Sequence, residues 1–265
     1  MAPRVSVIVP AYNPGPYLRE AIDSVLAQDL DDWDLVVVDD ESEEDLSWVG
    51  EIDPRVTLLP IRHGGLGVAR NTGINASASP YVAFLDADDR WKPTKLRRQV
   101  AAMATTDAPF SYTAFDFIDA DGTTTGAGFA GGVSYLDMLG GRIGILPSCV
   151  LVRRDALHAA GVFHTLMQGY EDFDLFLRLS RLGTPTFLAS VEVEYRVHGS
   201  NLSSNYWRGI QTHEAIFDLH EIDARFSGDR EALRAIATGR RALRRTYAYK
   251  AIDAARAAVH EGRCA

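Results

Sequence analysis

Four short, β-branched apolar runs, at residues 5–9, 35–38, 56–59 and 81–85, punctuate the first third of the chain. Runs of this length and make-up read as β-strands. They are apolar nearly throughout instead of alternating, so the sheet they form must be covered on both faces. Helical spacing fills the intervals. Over 17–27, Leu18, Ile22, Val25 and Leu26 share one face, and 67–76 and 94–103 also suit helices. Strand and helix in alternation predict an α/β fold, a Rossmann-like, largely parallel central sheet flanked by helices.

Beyond residue 105 the texture changes. Residues 119–132, rich in Asp, Gly and Thr, read as a flexible loop. A strand is expected over 145–152, a short helix from Arg154, a helix over 170–182 and a strand over 186–195. This half should close over the first. From Asn205 onwards the pattern is helical, a C-terminal extension of two or three helices. Between Arg234 and Arg263 eight basic residues stand against Asp253 and Glu261. Such a face suits an anionic membrane surface or a partner, and equally an ordinary solvated helix face.

Composition removes other classes. With 265 residues, 46% of them hydrophobic, the chain can bury one large core. A net charge of −9 disfavours nucleic acid as a partner. The two cysteines, Cys149 and Cys264, supply neither a disulfide framework nor a cysteine zinc site, which fits a reducing cytoplasm. Residues 1–4 lead straight into the first apolar run without the pattern of a secretion signal, so no export is expected. No stretch reaches the roughly 18 consecutive apolar residues of a membrane-spanning helix. Peripheral attachment at the inner face of the membrane, through the C-terminal basic helices, stays open.

The chemistry concentrates where strands end. Leu85-Asp86-Ala87-Asp88-Asp89 discharges an apolar run into three carboxylates within four residues. Such crowding is most easily kept ionised by a divalent cation, and hard oxygen ligands with a phosphate co-ligand suit Mg²⁺ or Mn²⁺. The plain alternative is an acidic turn capping the helix near Pro93. Val38-Asp39-Asp40-Glu41-Ser42 repeats the arrangement on an earlier strand, where one carboxylate can accept from a uracil ring N–H or a ribose hydroxyl. The stretch His63-Gly64-Gly65-Leu66-Gly67-Val68-Ala69-Arg70-Asn71 follows a strand and opens a helix, so its backbone N–H groups and Arg70 can receive phosphate oxygens. It is not a dinucleotide fingerprint, because Gly65-Leu66-Gly67 is followed three residues later by Arg70.

In order, residues 5–13, 38–42, 64–65 with 69–71, and 85–89, then Gly169-Tyr170-Glu171-Asp172-Phe173-Asp174-Leu175 and Tyr195-Arg196-Val197-His198, resemble the family 2 glycosyltransferases. The resemblance covers roughly residues 4–204. It implies the GT-A fold and an inverting transfer of sugar from a nucleotide-sugar, a UDP-sugar, to an acceptor hydroxyl, assisted by Mn²⁺ or Mg²⁺. On this reading Pro10, Ala11 and Tyr12 line the nucleotide pocket and Asp40 binds the uracil. Arg70, beside Gly65, meets the base or diphosphate, and Asp86 lies near the donor ribose or sugar. Asp88 is the direct metal ligand and Asp172 the general base. Residues 1–108 then form the nucleotide-sugar-binding half and 109–204 the acceptor-binding, catalytic half of one GT-A domain, with 205–265 the helical extension. Where the family usually shows glycine after the first acidic pair, this chain has Glu41.

Some residues carry two readings. Glu171, Asp172 and Asp174 occupy a first helical turn, where acids complement the helix dipole in any case. His198 suits a metal or a phosphate oxygen, and equally a loop histidine bonded to Asn201 or backbone. Arg196 is a similar case, suited to a phosphate oxygen and equally to a salt bridge to Glu192 or Glu194. The rival functions are a phosphatase of the haloacid dehalogenase type, which also uses Asp-x-Asp after a strand, and a non-catalytic nucleotide-sugar-binding module. A Gln-x-x-Arg-Trp motif is lacking, so a single sugar is expected to be transferred. The acceptor, entering between 119–141 and 147–149, is a glycan, a lipid-linked sugar, a protein or a small metabolite. A homo-oligomer is compatible with all of this.

Overall fold

β1 (Val5–Ala11) is buried at all seven positions, with a strand on either side of it and helical packing against its face at Ile8. β2 (Trp33–Asp39) runs parallel to it with Val5 opposite Trp33, and β3 (Val56–Pro60) runs parallel to β2. β4 (Tyr81–Phe84) runs parallel to β1 on its other side. All four carboxyl ends therefore share one rim, where Tyr12, Asp40 and the turn at 86–89 emerge. The computed structural model describes residues 3–128, 131–142, 145–167, 169–199 and 206–260, without the side chains of 206–208 and 250–260.

The connecting helices follow the expected spacing. α1 (Tyr17–Leu26) buries Leu18, Ala21, Ile22 and Val25. α2 (Leu66–Asn75) lies so close to β1 that a Cβ on Gly73 would stand 2.4 Å from Ile8 Cγ2. Only glycine permits that approach. α3 (Lys95–Ala104) buries Leu96, Val100 and Met103 along one face.

Beyond β4 the sheet is mixed. β5 (Arg90–Trp91) and β6 (Phe110–Ile118) join it, and β7 (Thr124–Ala127) pairs antiparallel with β6. Part of the stretch read as a flexible loop is thus a hairpin. Its turn is closed locally, since Asp119 Oδ1 accepts the N–H groups of Asp121 and Thr123 and Gly122 takes φ 83°. After α4 (Tyr135–Leu139), a 3₁₀ turn at Pro147–Cys149 precedes β8 (Val150–Arg153). The strand expected over 145–152 therefore starts late, because Pro147 has no N–H to give a ladder. α5 (Arg154–Ala160), α6 (Glu171–Leu182) and β9 (Thr186–Arg196) complete this unit. The order is β3-β2-β1-β4-β8-β6-β9-β5, with β7 on β6. Parallel pairing holds over the first four strands; β8 is antiparallel to both β4 and β6, β9 parallel to β6, and β5 antiparallel to β9.

The chain divides into two compact units, Met1–Gly132 with Gly144–His198, and Val133–Ile143 with Gly199–Ala265. The expected halves 1–108 and 109–204 share one sheet, while Val133–Ile143 groups with the C-terminal helices. In the second unit, α4 starts with a capping box between Ser134 and Asp137, and the long helices are α7 (Tyr206–Ser227) and α8 (Arg230–His260). Gly239 of α8 lies against the Leu139 carbonyl, where a Cβ would come within 2.0 Å. Arg240 pairs with Glu214, Asp218 and Glu221 of α7, and Arg244 with Glu214. Part of the C-terminal positive charge is thereby neutralised within the unit. No described helix is long and apolar enough to cross a membrane.

Candidate active site

The turn after β4 sends each of its three carboxylates to a different partner. Asp86 Oδ1 accepts from Arg70 Nη2 at 2.6 Å, and Asp88 Oδ2 meets His198 Nε2 at 3.0 Å. Asp89, fully buried, accepts the Ser148 hydroxyl at 2.5 Å and the Arg196 backbone N–H at 3.0 Å. Ser148 Oγ in turn accepts the Asp86 N–H at 3.0 Å. Burial, then the charge of Asp86, holds Asp88 above the usual carboxylate range. Burial, then Asp88 and Asp86, holds Asp89 well above it. A cation beside Asp88 would reverse the first of these shifts.

The Asp88–His198 pair fits such a cation. Neighbouring ligands about 2.1 Å from an octahedral ion stand about 3 Å apart, and Asp88 Oδ2 lies 3.0 Å from His198 Nε2. Among the described residues no group of three His, Cys, Asp or Glu side chains can hold a metal. The protein would furnish these two donors and leave the other positions to phosphate oxygens and water, as Mg²⁺ sites commonly do.

Asp172 sits in the first turn of α6, entered through two left-handed residues, Gly169 at φ 85° and Tyr170 at φ 65°. Burial first, and the neighbouring Glu171 carboxylate second, push Asp172 up to about 7, against the pull of Arg70 and of the Phe173 N–H. Arg70, 2% exposed, donates from Nη1 to Glu171 Oε1 at 2.5 Å and from Nη2 to Asp86. Burial alone would lower the pKa of its guanidinium; Asp86, Glu171 and Asp172 together raise it instead. A contact to the base or diphosphate was expected of Arg70. In this structure it is a buried tie between α2, the acidic turn and α6.

The nucleotide side of the rim is built from loop-to-loop bonds. Pro10 and Ala11, the last two residues of β1, are buried; Tyr12, the next, is 52% exposed with its ring 4.5 Å from that of His63. Asp40 Oδ1 and Oδ2 accept the N–H groups of Gly64 and Gly65 at 2.7 and 2.9 Å. Asp40, expected at the uracil, thus anchors the glycine-rich loop, keeping further lone pairs for a ligand. Gly65 has φ 84° and open space where a Cβ would lie, at the start of α2. Glu41 adopts φ 67°, the conformation that glycine favours, so the turn is made despite the substitution, and Glu41 Oε2 accepts the His63 N–H at 3.2 Å.

This constellation, on a sheet of this order, can be compared with known proteins. The family model "Glycosyl transferase family 2" matches residues 6–158. The chain belongs to that family. It is a glycosyltransferase with the GT-A fold. This family 2 glycosyltransferase is similar to TuaG of Bacillus subtilis strain 168, a glycosyltransferase named for teichuronic acid biosynthesis, at 30% identity over 78% of this chain and 84% of TuaG. An uncharacterized glycosyltransferase of Rickettsia felis is 29% identical over 77% of this chain, but the chain spans only 36% of that protein. Among solved structures, S. aureus TarS 1–349 matches with a TM-score of 0.67 at 18% identity, over 82% of this chain and 65% of TarS 1–349. The family assignment sets aside the phosphatase reading.

Sequence reasoning did not link Ser148 to Asp86, Glu171 to Arg70 or Glu20 to Arg196. Glu171 was visible as part of the motif at 169–175 and as a helix-capping acid, Ser148 only as part of an acceptor wall, and Glu20 as an ordinary polar position of an amphipathic helix. Their partners lie 62, 101 and 176 residues away, beyond the reach of any local pattern.

Proposed function

We propose that the enzyme moves a single sugar from a UDP-sugar to an acceptor hydroxyl with inversion of configuration. The observation that carries this reading is the place of Asp172 in the first turn of α6, next to Glu171, which Arg70 joins to the acidic turn; burial and the Glu171 charge raise the Asp172 pKa to about 7. A base of that strength is about half ionised near neutrality and suited to a hydroxyl proton. Asp172 takes that proton as the acceptor oxygen bonds to the anomeric carbon, while the bond from that carbon to the diphosphate breaks and its electron pair leaves with the nucleoside diphosphate. Attack opposite the leaving group inverts the configuration. Pro10, Ala11, Tyr12 and Asp40 form the nucleotide side, Asp86 faces the ribose or sugar, and the Gly65 end of α2 receives phosphate oxygen. Asp88 and His198 would hold Mn²⁺ or Mg²⁺, which supplies counter-charge for the departing diphosphate.

The choice of uridine is supported by TarS 1–349, which has been solved in complex with UDP and with UDP-GlcNAc. The test is a calorimetric titration of UDP into the protein in Mn²⁺ and again in EDTA. Binding in Mn²⁺ alone is expected. Equal binding in both buffers would remove the cation from the reading, and no binding in either would remove UDP.

A further inference from the structure

Asp88 and His198 lie 110 residues apart in sequence, so neither local segment can set their separation. The structure sets it at Arg196, the last residue of β9. The Arg196 backbone N–H donates to Asp89 Oδ1 at 3.0 Å, and its Nε donates back to the Asp88 carbonyl at 2.9 Å. The strand that leads to His198 is thus clamped reciprocally to the turn that carries Asp88.

The Arg196 side chain, 0% exposed, is held from its far end as well. Nη1 donates to the Ala120 carbonyl at 2.9 Å, Nη2 to Glu20 Oε2 at 2.6 Å, and the guanidinium lies over the Tyr17 ring at 4.5 Å. Tyr17 and Glu20 are three residues apart on α1 and so share a face. The same Tyr17 ring lies 5.1 Å from the ring of His198. Glu20 Oε2 also accepts from Arg90 Nη1 at 3.1 Å, and Arg90 Nε reaches Glu194 at 2.8 Å. The nearer strand acids are engaged elsewhere, Glu192 with Thr94 and Arg98, Glu194 with Arg90 and Lys92. A buried guanidinium is expensive unless paired, and this one takes its carboxylate partner from another element.

We infer that Arg196, with Glu20 as its charge partner, is a positioning residue that holds His198 at ligand distance from Asp88 and so sets the affinity of the cation site. This rests on the reading of that pair as cation ligands. Groups that orient metal ligands typically contribute about 10–100-fold in affinity. The test measures Mn²⁺ binding by electron paramagnetic resonance in the presence of UDP, at a temperature where each variant is fully folded by circular dichroism, so that lost global stability does not register. Wild type should bind Mn²⁺ with the nitrogen hyperfine coupling of a bound imidazole. Glu20→Gln, which keeps the side-chain size, should bind about tenfold more weakly and lose the coupling, as His198→Ala should. Glu20→Gln with wild-type affinity and intact coupling, alongside loss of binding in Asp88→Asn, overturns the positioning role alone. A wild-type protein that binds no Mn²⁺ overturns the cation reading and this inference with it.

Discussion

Asp172 is where the proposed chemistry meets a measurable proton. Replacement by Asn keeps size and hydrogen bonding but removes the proposed base, so turnover should fall by about 10²–10⁴-fold with donor affinity unchanged. Unchanged turnover would place the base elsewhere. In wild type, kcat/KM should decline as the pH falls through about 7, because burial and Glu171 favour the protonated acid. The same shift acts on stability. The folded protein retains a proton that the unfolded chain releases at about 4, so this stabilising contribution is complete below about 4 and lost as the pH rises to about 7. Glu41 belongs to the same scale. Its left-handed backbone was the open question at the turn after β2, and its bond to the His63 N–H helps to hold it there.

Three elements meet at one guanidinium. α2 carries Arg70, the turn after β4 carries Asp86, and α6 begins at Glu171, which is 2% exposed. Gly73 lets α2 lie close enough on β1 for this meeting. Arg70→Met should therefore leave Glu171 buried without its cation and lower stability by about 3–5 kcal/mol, read from urea unfolding. It should also move the acidic limb of the pH–activity profile upward, since Arg70 holds the Asp172 pKa down. A variant with wild-type stability and an unmoved profile would mean that Arg70 is peripheral to both. That α2 begins near Leu66 and α6 near Glu171 was legible from spacing. That Arg70 pairs with Asp86 and Glu171 was not, because partner choice depends on which strand ends share a rim.

At the scale of the whole chain, a GT-A unit is accompanied by a helical unit that recruits Val133–Ile143 from the middle of the sequence. Within that helical unit the contact of α8 with α4 admits no side chain at Gly239. Gly239→Ala should lower stability by about 1–3 kcal/mol through overpacking, measured as a fall in the midpoint of thermal or urea unfolding; an unmoved midpoint would show that α8 can shift aside. The sequence by itself determined the local matters. Apolar period placed β1 to β4 and α1 to α3 within a residue or two, and the order of short acidic and glycine-rich motifs disclosed the family. Period and turn chemistry are properties of neighbouring residues, so a single chain displays them. Tertiary structure alone decided which charges meet. Arg196 reached Glu20, 176 residues away, instead of Glu192 or Glu194 on its own strand. Thr124–Ala127, in the stretch read as a loop, became a strand by pairing with β6, and Val133–Ile143 left its sequence neighbours for the C-terminal helices. Each choice depends on burial and on distances between distant segments, and those quantities come into existence only when the sheet has formed.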